Sequence, residues 1–274
     1  MHIQRGAWAE INLDAVAHNV QMAKANLKPT TKLCAVVKAD AYGHGAVRVA
    51  QEAARNGADF FAVALLQEGV KLREAGIETP ILVLGSMLPE VAEICVRYDI
   101  SHAVFDEERL YALNAAALKL HTKAKIHIKI DTGMHRIGVH VRDAGRFAKL
   151  AASLPGIYIE GVFSHFATAD ADDKQYAAYQ FERFQEALRL IEAEGVHIPI
   201  RHIANSAALT ELQEYQLDMV RQGITLYGLH PAHMIDCYKD FEPVMTVKTQ
   251  VAFVKTLPPG ETIGYGRTYT LTRP

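Results

Sequence analysis

The chain is short of cysteine, of long apolar runs and of any excess charge. Its three cysteines, Cys34, Cys95 and Cys237, are far apart, and none sits in a CxxC pair. That spacing argues against a disulfide framework or a zinc module and for a reducing compartment. The amino terminus, MHIQRGAWAEINL, has no apolar run like that of a secretory leader. No uninterrupted apolar stretch approaches the roughly 18 residues of a membrane-spanning helix. A cytoplasmic protein without a membrane partner is therefore expected. Twenty-nine Lys and Arg face 31 Asp and Glu, a formal net charge of −2, which gives no global electrostatic case for nucleic acid. Internal repeats and low-complexity tracts are also absent.

What is present is material for a core. Half of the 274 residues are apolar and 22% are charged. Surface scaling predicts about 12,000 Å² exposed after folding against about 44,000 Å² for the open chain, so roughly 73% is buried. A disulfide-dependent mini-scaffold and a disordered tail are both excluded. The length suits two domains or one α/β barrel.

Short apolar runs alternate with amphipathic ones. Strands are expected at Leu33–Lys38, Phe60–Ala64, Ile81–Leu84, Ala103–Phe105, Ala124–Ile130, Tyr158–Phe163, Ile200–Ala204 and Ile224–Tyr227. Val16, Val20, Ala23 and Leu27 share one helical face, with Asp14 as the N-cap, and Phe181, Phe184, Leu188 and Ile191 share another. Eight strands with helical connections predict an α/β fold of the (β/α)₈ TIM-barrel type, with a doubly wound open sheet as the alternative. The pattern changes near residue 235. Val244–Leu257 reads as a long strand, Pro258-Pro259-Gly260 as a turn and Glu261–Leu271 as a second strand. The expected division is a barrel over 1–235 and the start of an all-β domain over 236–274, a hairpin with little stability of its own.

Five polar segments fall at or near expected strand ends: KADAYGHG, IKIDTGMHRIG, SHFATAD, RHIANSA and MVRQGITLYG. Barrel enzymes keep their catalytic groups at the carboxyl ends of the strands. Lys38, behind AVV, is poorly solvated, and a neutral amine there can form a Schiff base. Arg136 can grip an anion through two N–H groups, and the N–H groups of Gly223 and Ile224 can face a phosphate. Taken singly, each has a plainer reading: a strand-end lysine reaching water, an ordinary charged loop, or a structural histidine at position 165. His44 reads first as a loop-shaping residue and Cys34 as a small buried hydrophobe.

These segments, followed by GYGRTY and taken in order, resemble the bacterial alanine racemase family of fold-type III pyridoxal-phosphate enzymes. The likeness runs from AWAEINLDAV to the last residue. It implies an amino-terminal barrel that binds pyridoxal 5'-phosphate, a carboxyl-terminal β domain, and a homodimer in which each subunit completes the other's site. It implies interconversion of L- and D-alanine for peptidoglycan. Lys38 matches the lysine that carries the cofactor and acts as one base. Tyr265 matches the opposing base, delivered across the interface. Tyr42, Ser206, Gly223 and Ile224 match phosphate-holding positions, and Asn205 lies in the same segment. Arg221 matches the arginine at the pyridine nitrogen, and His202 its partner. His165 matches the histidine bonded to the catalytic tyrosine, and Arg136 an arginine near the substrate carboxylate. Lys129 matches a lysine that is carbamylated in many members, which would reverse its sign beside Arg136. The family's β domain extends past the last residue here and supplies a further tyrosine and methionine with no counterpart in this chain. A PLP carrier without turnover, or another fold-III racemase or decarboxylase, is the alternative.

Overall fold

The computed structural model describes residues 6–231 and 238–274. Cys237 and the expected boundary at 235/236 lie outside the described residues. The chain divides into two compact units, Asn12–Val244 in one and Met1–Ile11 with Met245–Pro274 in the other.

The strands are β1 (Ala7–Ile11), β2 (Lys32–Val36), β3 (Phe60–Val63), β4 (Ile81–Val83), β5 (Ser101–Val104), β6 (Ala124–Asp131), β7 (Val139–His140), β8 (Ile157–Phe163), β9 (Ile200–His202), β10 (Met219–Gln222), β11 (Met245–Thr249), β12 (Thr262–Ile263) and β13 (Tyr269–Thr270). The larger unit is built on a parallel sheet in the order β10-β2-β3-β4-β5-β6-β8-β9, with β7 added beside β6. Backbone hydrogen bonds from Asp218 to Arg201 (3.0 Å) and from Arg221 to Ala204 (3.1 Å) join the two ends. The result is the expected eight-stranded (β/α)₈ barrel. The strands are short and Val/Ile-rich because helices cover their outer face while side chains fill the inside. Cys34, Val36, Phe60, Ala62, Leu82, Ile200 and Met219 pack together as a core cluster.

The helices are α1 (Leu13–Ala25), α2 (Lys38–Tyr42), α3 (Ala46–Arg55), α4 (Leu66–Glu74), α5 (Ala92–Arg97), α6 (Glu107–Lys119), α7 (Ala144–Ser153), α8 (Gln175–Ala193) and α9 (Ser206–Glu211). The N-cap of α1 is Asn12, not Asp14: the Asn12 side chain accepts from the N–H groups of Asp14 and Ala15. Asp14 sits inside the first turn, where its charge favours the positive end of the helix. The α8 face that is fully buried comprises Ala177, Gln180, Phe184, Ala187 and Ile191, while Phe181 and Leu188 are only partly covered.

The eighth strand is Met219–Gln222 rather than Ile224–Tyr227, which forms a 3₁₀ turn. Gly223, at φ −107° and ψ −99°, breaks the extended run. Arg221 and Gln222 are polar but buried, so the strand does not look apolar in the sequence. The placement carries a consequence: Gly223 and Ile224 follow a strand directly, at its carboxyl end.

In the smaller unit, Met245–Thr249 pairs antiparallel with Ala7–Ile11 and not with the segment after the turn. Pro258 and Pro259 have no N–H for a ladder, and the late pairing shrinks to Thr262–Ile263 with Tyr269–Thr270. Val251, Phe253 and Val254 are each more than three-quarters exposed. Such extended, exposed chain raises the accessible surface to 14557 Å², above the value scaling predicts.

Candidate functional site

Lys38 follows β2 and opens α2, but α2 is not a right-handed helix. Ala39, Asp40, Ala41 and Tyr42 have φ of 51°, 53°, 56° and 54°. A left-handed turn of L-residues costs roughly 1–2 kcal/mol per residue, so neighbouring groups must hold it. Glu68 Oε1 accepts the Ala39 N–H at 2.6 Å, and its other oxygen accepts those of Ala64 and Leu65. Asp40 Oδ1 accepts from the Ala46 N–H and from Lys71. His44 Nδ1 lies 2.9 Å from the Ala41 carbonyl and 3.1 Å from that of Tyr42. The turn sets the Tyr42 ring 5.6 Å from Lys38 Nζ and 5.0 Å from the ring of Tyr227. Burial pushes the Tyr42 phenol above its ordinary pKa.

Arg221 rises from β10 into the barrel and is 3% exposed. Its Nη1 lies 2.7 Å from His202 Nδ1. Its Nη2 faces the carbonyls of Ser164 (2.8 Å) and Ile203 (3.0 Å) and His165 Nδ1 (2.9 Å). All four are uncharged acceptors when the histidines are neutral. Burial, followed by the charge on Arg221, holds both His165 and His202 well below the ordinary imidazole pKa. Arginine only donates, so both Nδ1 atoms are acceptors and both rings carry their proton on Nε2. Burial also lowers Arg221 itself, to about 10.

Lys129, from β6, is 3% exposed. Its Nζ donates to the Ile130 carbonyl at 2.9 Å and lies 5.4 Å from the Phe163 ring centroid. Burial, reinforced by Arg221 and Arg136 against Asp131, pushes its pKa down to about 7. The loop carrying Arg136 is organised by Asp131, which accepts from the N–H groups of Gly133 and His135. Gln180 ties two cavity loops together, donating to Thr132 Oγ1 and the His165 carbonyl and accepting the Ala167 N–H.

At the carboxyl end of β9, Asn205 caps α9 by accepting the Ala208 N–H at 3.1 Å. Ser206 Oγ accepts the Gly223 N–H at 2.8 Å. A Cβ on Gly223 would point between Tyr42 Oη (3.5 Å) and Ser206 Oγ (3.7 Å). Glycine therefore leaves a small polar recess open there.

Ten of the twelve expected site residues line one cavity of about 640 Å³ at the carboxyl ends of the barrel strands: Lys38, Tyr42, Lys129, Arg136, His165, Asn205, Ser206, Arg221, Gly223 and Ile224. His202 lies beneath them, against Arg221. Tyr265 belongs to the smaller unit and is fully exposed. Sequence reasoning missed Asp40, Glu68 and Gln180, which hold the loops. Glu68 carries a readable signal, an acid at the third position of a helix start, as in a capping box. Gln180 carries none, since a lone polar residue on an apolar helix face reads as exposed.

The fold and site define a class: a (β/α)₈ barrel with a cavity that gathers four cations around a polar recess, shaped for a ligand with more than one negative charge. The particular family follows from comparison. Residues 11–231 match the alanine racemase N-terminal domain and residues 244–274 the alanine racemase C-terminal domain. The alanine racemase of Desulfovibrio desulfuricans is 46% identical over 265 residues, covering 97% of this chain and 71% of that protein. That of Halothermothrix orenii is 45% identical over 271 residues, covering 99% and 72%. The alanine racemase structure from Clostridium difficile 630 superposes with a TM-score of 0.92 at 38% identity, covering 99% of this chain and 72% of that one. The Bacillus anthracis alanine racemase with bound L-Ala-P superposes at 0.91 with 36% identity, covering 100% and 71%. The chain belongs to the alanine racemase family.

Proposed function

We propose that the chain interconverts L- and D-alanine with pyridoxal 5'-phosphate as cofactor, and that its D-alanine feeds peptidoglycan synthesis. The observation that carries this reading is the convergence of Lys38, Lys129, Arg136 and Arg221 on one cavity, with Arg221 bonded only to uncharged acceptors. That donor set fits a phosphate and a carboxylate. The open recess at Gly223 fits the phosphate, which would be held by Tyr42, Ser206 and the N–H groups of Gly223 and Ile224, the Gly223 N–H exchanging its bond to Ser206 Oγ for the phosphate, with Asn205 fixing the start of α9.

When bound, the cofactor supplies a ring that delocalises the charge left on the α-carbon after its proton is removed. Lys38 Nζ carries the cofactor and moves the proton on one face. Tyr265 moves it on the other and comes from a second copy of the chain in a homodimer, with the His165 Nε2–H available to the phenolic oxygen. Arg221, with His202 behind it, would hold the pyridine nitrogen side of the cofactor, and since it does not readily surrender its proton it would restrain side reactions such as transamination. Arg136 binds the substrate carboxylate. Lys129, lowered to about 7, has a neutral fraction at neutral pH that adds CO₂ to give a carbamate and release a proton. The negative group then pairs with Arg136. We assign the cofactor site to the barrel, over 1–235, and Tyr265 to a β domain beginning in 236–274. Cys34 and Cys95 are free, buried thiols with pKa values pushed up to about 12 by burial, which supports a reducing cytoplasmic location. No helix among the described residues is long and apolar enough to cross a membrane.

The test is to load the chain with pyridoxal phosphate, record its absorbance and follow D-alanine formation from L-alanine. A cofactor band with racemisation is the expected result. A band without turnover would assign a carrier, and CO₂ release from an amino acid a decarboxylase. Intact-mass measurement under bicarbonate reads the carbamate on Lys129 directly.

A further inference from the structure

Beneath Arg221 a line of polar side chains crosses the barrel interior. His202 Nε2 lies 2.9 Å from His127 Nδ1, and His127 Nε2 lies 3.0 Å from Glu160 Oε2. The Ser101 hydroxyl donates to the same Glu160 oxygen. His127 and His202 are fully buried. Two features of the backbone are built around this line. The β6–β8 register pairs Ile126 with Ile159 and His127 with Gly161, so Glu160 is the extra residue of a β-bulge. A bulge re-aims a side chain, and here it directs a carboxylate to the histidines. Gly161 makes room: a Cβ there would lie 2.5 Å from His127 Nδ1 and 2.7 Å from the Ile200 carbonyl oxygen.

We propose that Glu160 and His127 are positioning residues that lock the tautomer of His202 and, through it, the orientation of Arg221 beneath the cavity. The chemistry of the two ends leaves one assignment. Arg221 only donates, so His202 Nδ1 accepts and its proton sits on Nε2. That N–H donates to His127 Nδ1, so the His127 proton also sits on Nε2, and it donates to Glu160. An ionised carboxylate only accepts, which closes the line. Burial raises the Glu160 carboxyl, and the hydrogen bonds from His127 and Ser101 and the charge of Lys125 act against it. An imidazolium at His127 would aim a second proton at His202 Nε2 and leave two donors facing. If either ring flips its tautomer, His202 Nδ1 turns from acceptor to donor and repels the guanidinium.

The proposal rests on the racemisation reading only for what Arg221 does in the cavity, and its test keeps the two apart. Ring-nitrogen NMR of the ¹⁵N-histidine-labelled chain, assigned with His127→Phe, needs neither cofactor nor turnover. Both His127 and His202 are expected neutral and protonated on Nε2 at neutral pH. A proton on Nδ1 of either ring overturns the proposal. Glu160→Gln keeps an acceptor for His127 and is expected to keep both tautomers. Glu160→Leu removes it, mixes the tautomers and lowers kcat of the loaded enzyme about tenfold or more, with a smaller change in KM for alanine. Unchanged tautomers in the leucine variant, or equal losses of kcat in both variants, overturn it. If the leucine variant does not fold, the parent chain and the glutamine variant still decide the tautomers.

Discussion

The barrel and the smaller unit treat their functional side chains in opposite ways. In the barrel, Arg221 has four hydrogen-bond acceptors, Lys129 has the Ile130 carbonyl, and the loop after Lys38 is clamped by Glu68 and Asp40. In the smaller unit, Tyr265 is fully exposed on a 3₁₀ turn beside a two-residue ladder. A proton-transfer group works when its surroundings fix its aim. The loop after Lys38, the barrel side of the proposed two-base pair, is held in place within one chain. On the proposed reading, the tyrosine side would acquire such surroundings from another copy. The contrast then puts the dependence on assembly at Tyr265 and cofactor binding in the barrel.

The largest effect expected is at Lys38. Lys38→Ala removes both the attachment point and a base, and D-alanine formation should fall on the order of 10⁴-fold or more. The absorbance band of the attached cofactor should go with it. Retained turnover would break the assignment of the barrel as the cofactor half.

Tyr265→Phe comes next and tests the other half. Turnover should fall about 10²–10⁴-fold, while cofactor binding and unfolding midpoint stay as in the parent, because the side chain is exposed here. Specific activity should also rise with protein concentration as dimers form. An activity independent of concentration down to nanomolar protein, with Tyr265 essential, would place the tyrosine in its own chain's site and remove the contrast.

The reach of the sequence differs between the same two regions. Barrel strands were legible because helices cover the outer face and packed side chains the inner one, which leaves runs such as FFAV and ILV. The eighth strand was not, because Arg221, pointing into the barrel, and Gln222, bonded to Asn19 of α1, are polar but buried. The site was legible as residue types, since Lys38, Arg136 and His165 follow strands and Arg221 lies in one. Its supports were not: Glu68 is readable as a helix-start acid but not as the clamp on the loop after Lys38, and Gln180 acts from a helix distant in sequence. The histidine line had one visible trace: His127, Lys129 and Asp131 recur at every second position of β6, the period of one strand face. In the smaller unit the strand content was legible, but the partner of Met245–Thr249 was not. Pairing with Ala7–Ile11 spans almost the whole chain, and no local pattern encodes a contact of that separation.

A buried cation distinguishes the barrel's electrostatics from those of the exposed unit. Lys129 sits at about 7 in the fold and about 10.4 unfolded. Between those values the unfolded chain binds the additional proton, so stability rises with pH across that window and is lowest below it. Lys129→Met removes the burden. The variant should be the more stable by up to a few kcal/mol at pH 6, less the lost bond to Ile130, and the gain should shrink toward pH 10. Urea midpoints in CO₂-free buffer at both pH values read this. A difference that does not change with pH would mean that Lys129 is solvated in the fold.

The smallest effect concerns Gly161, where the barrel's tight interior meets the backbone of the neighbouring strand. Gly161→Ala places a methyl 2.5 Å from His127 Nδ1 and 2.7 Å from the Ile200 carbonyl oxygen. One contact is a ring held at both nitrogens and the other is backbone of the neighbouring strand, so neither yields freely. Overpacking of this kind costs about 1–3 kcal/mol. Gly264→Ala in the smaller unit is the matched control: nothing lies within 4 Å of its Cβ position, though its φ of 73° strains an alanine there. Urea unfolding should show Gly161→Ala lowering the barrel's midpoint and shifting the His127 ring resonances, with Gly264→Ala leaving both in place. If the two variants behave alike, the barrel interior has slack at the bulge, and the contrast between a tightly packed unit and an exposed one loses its structural basis.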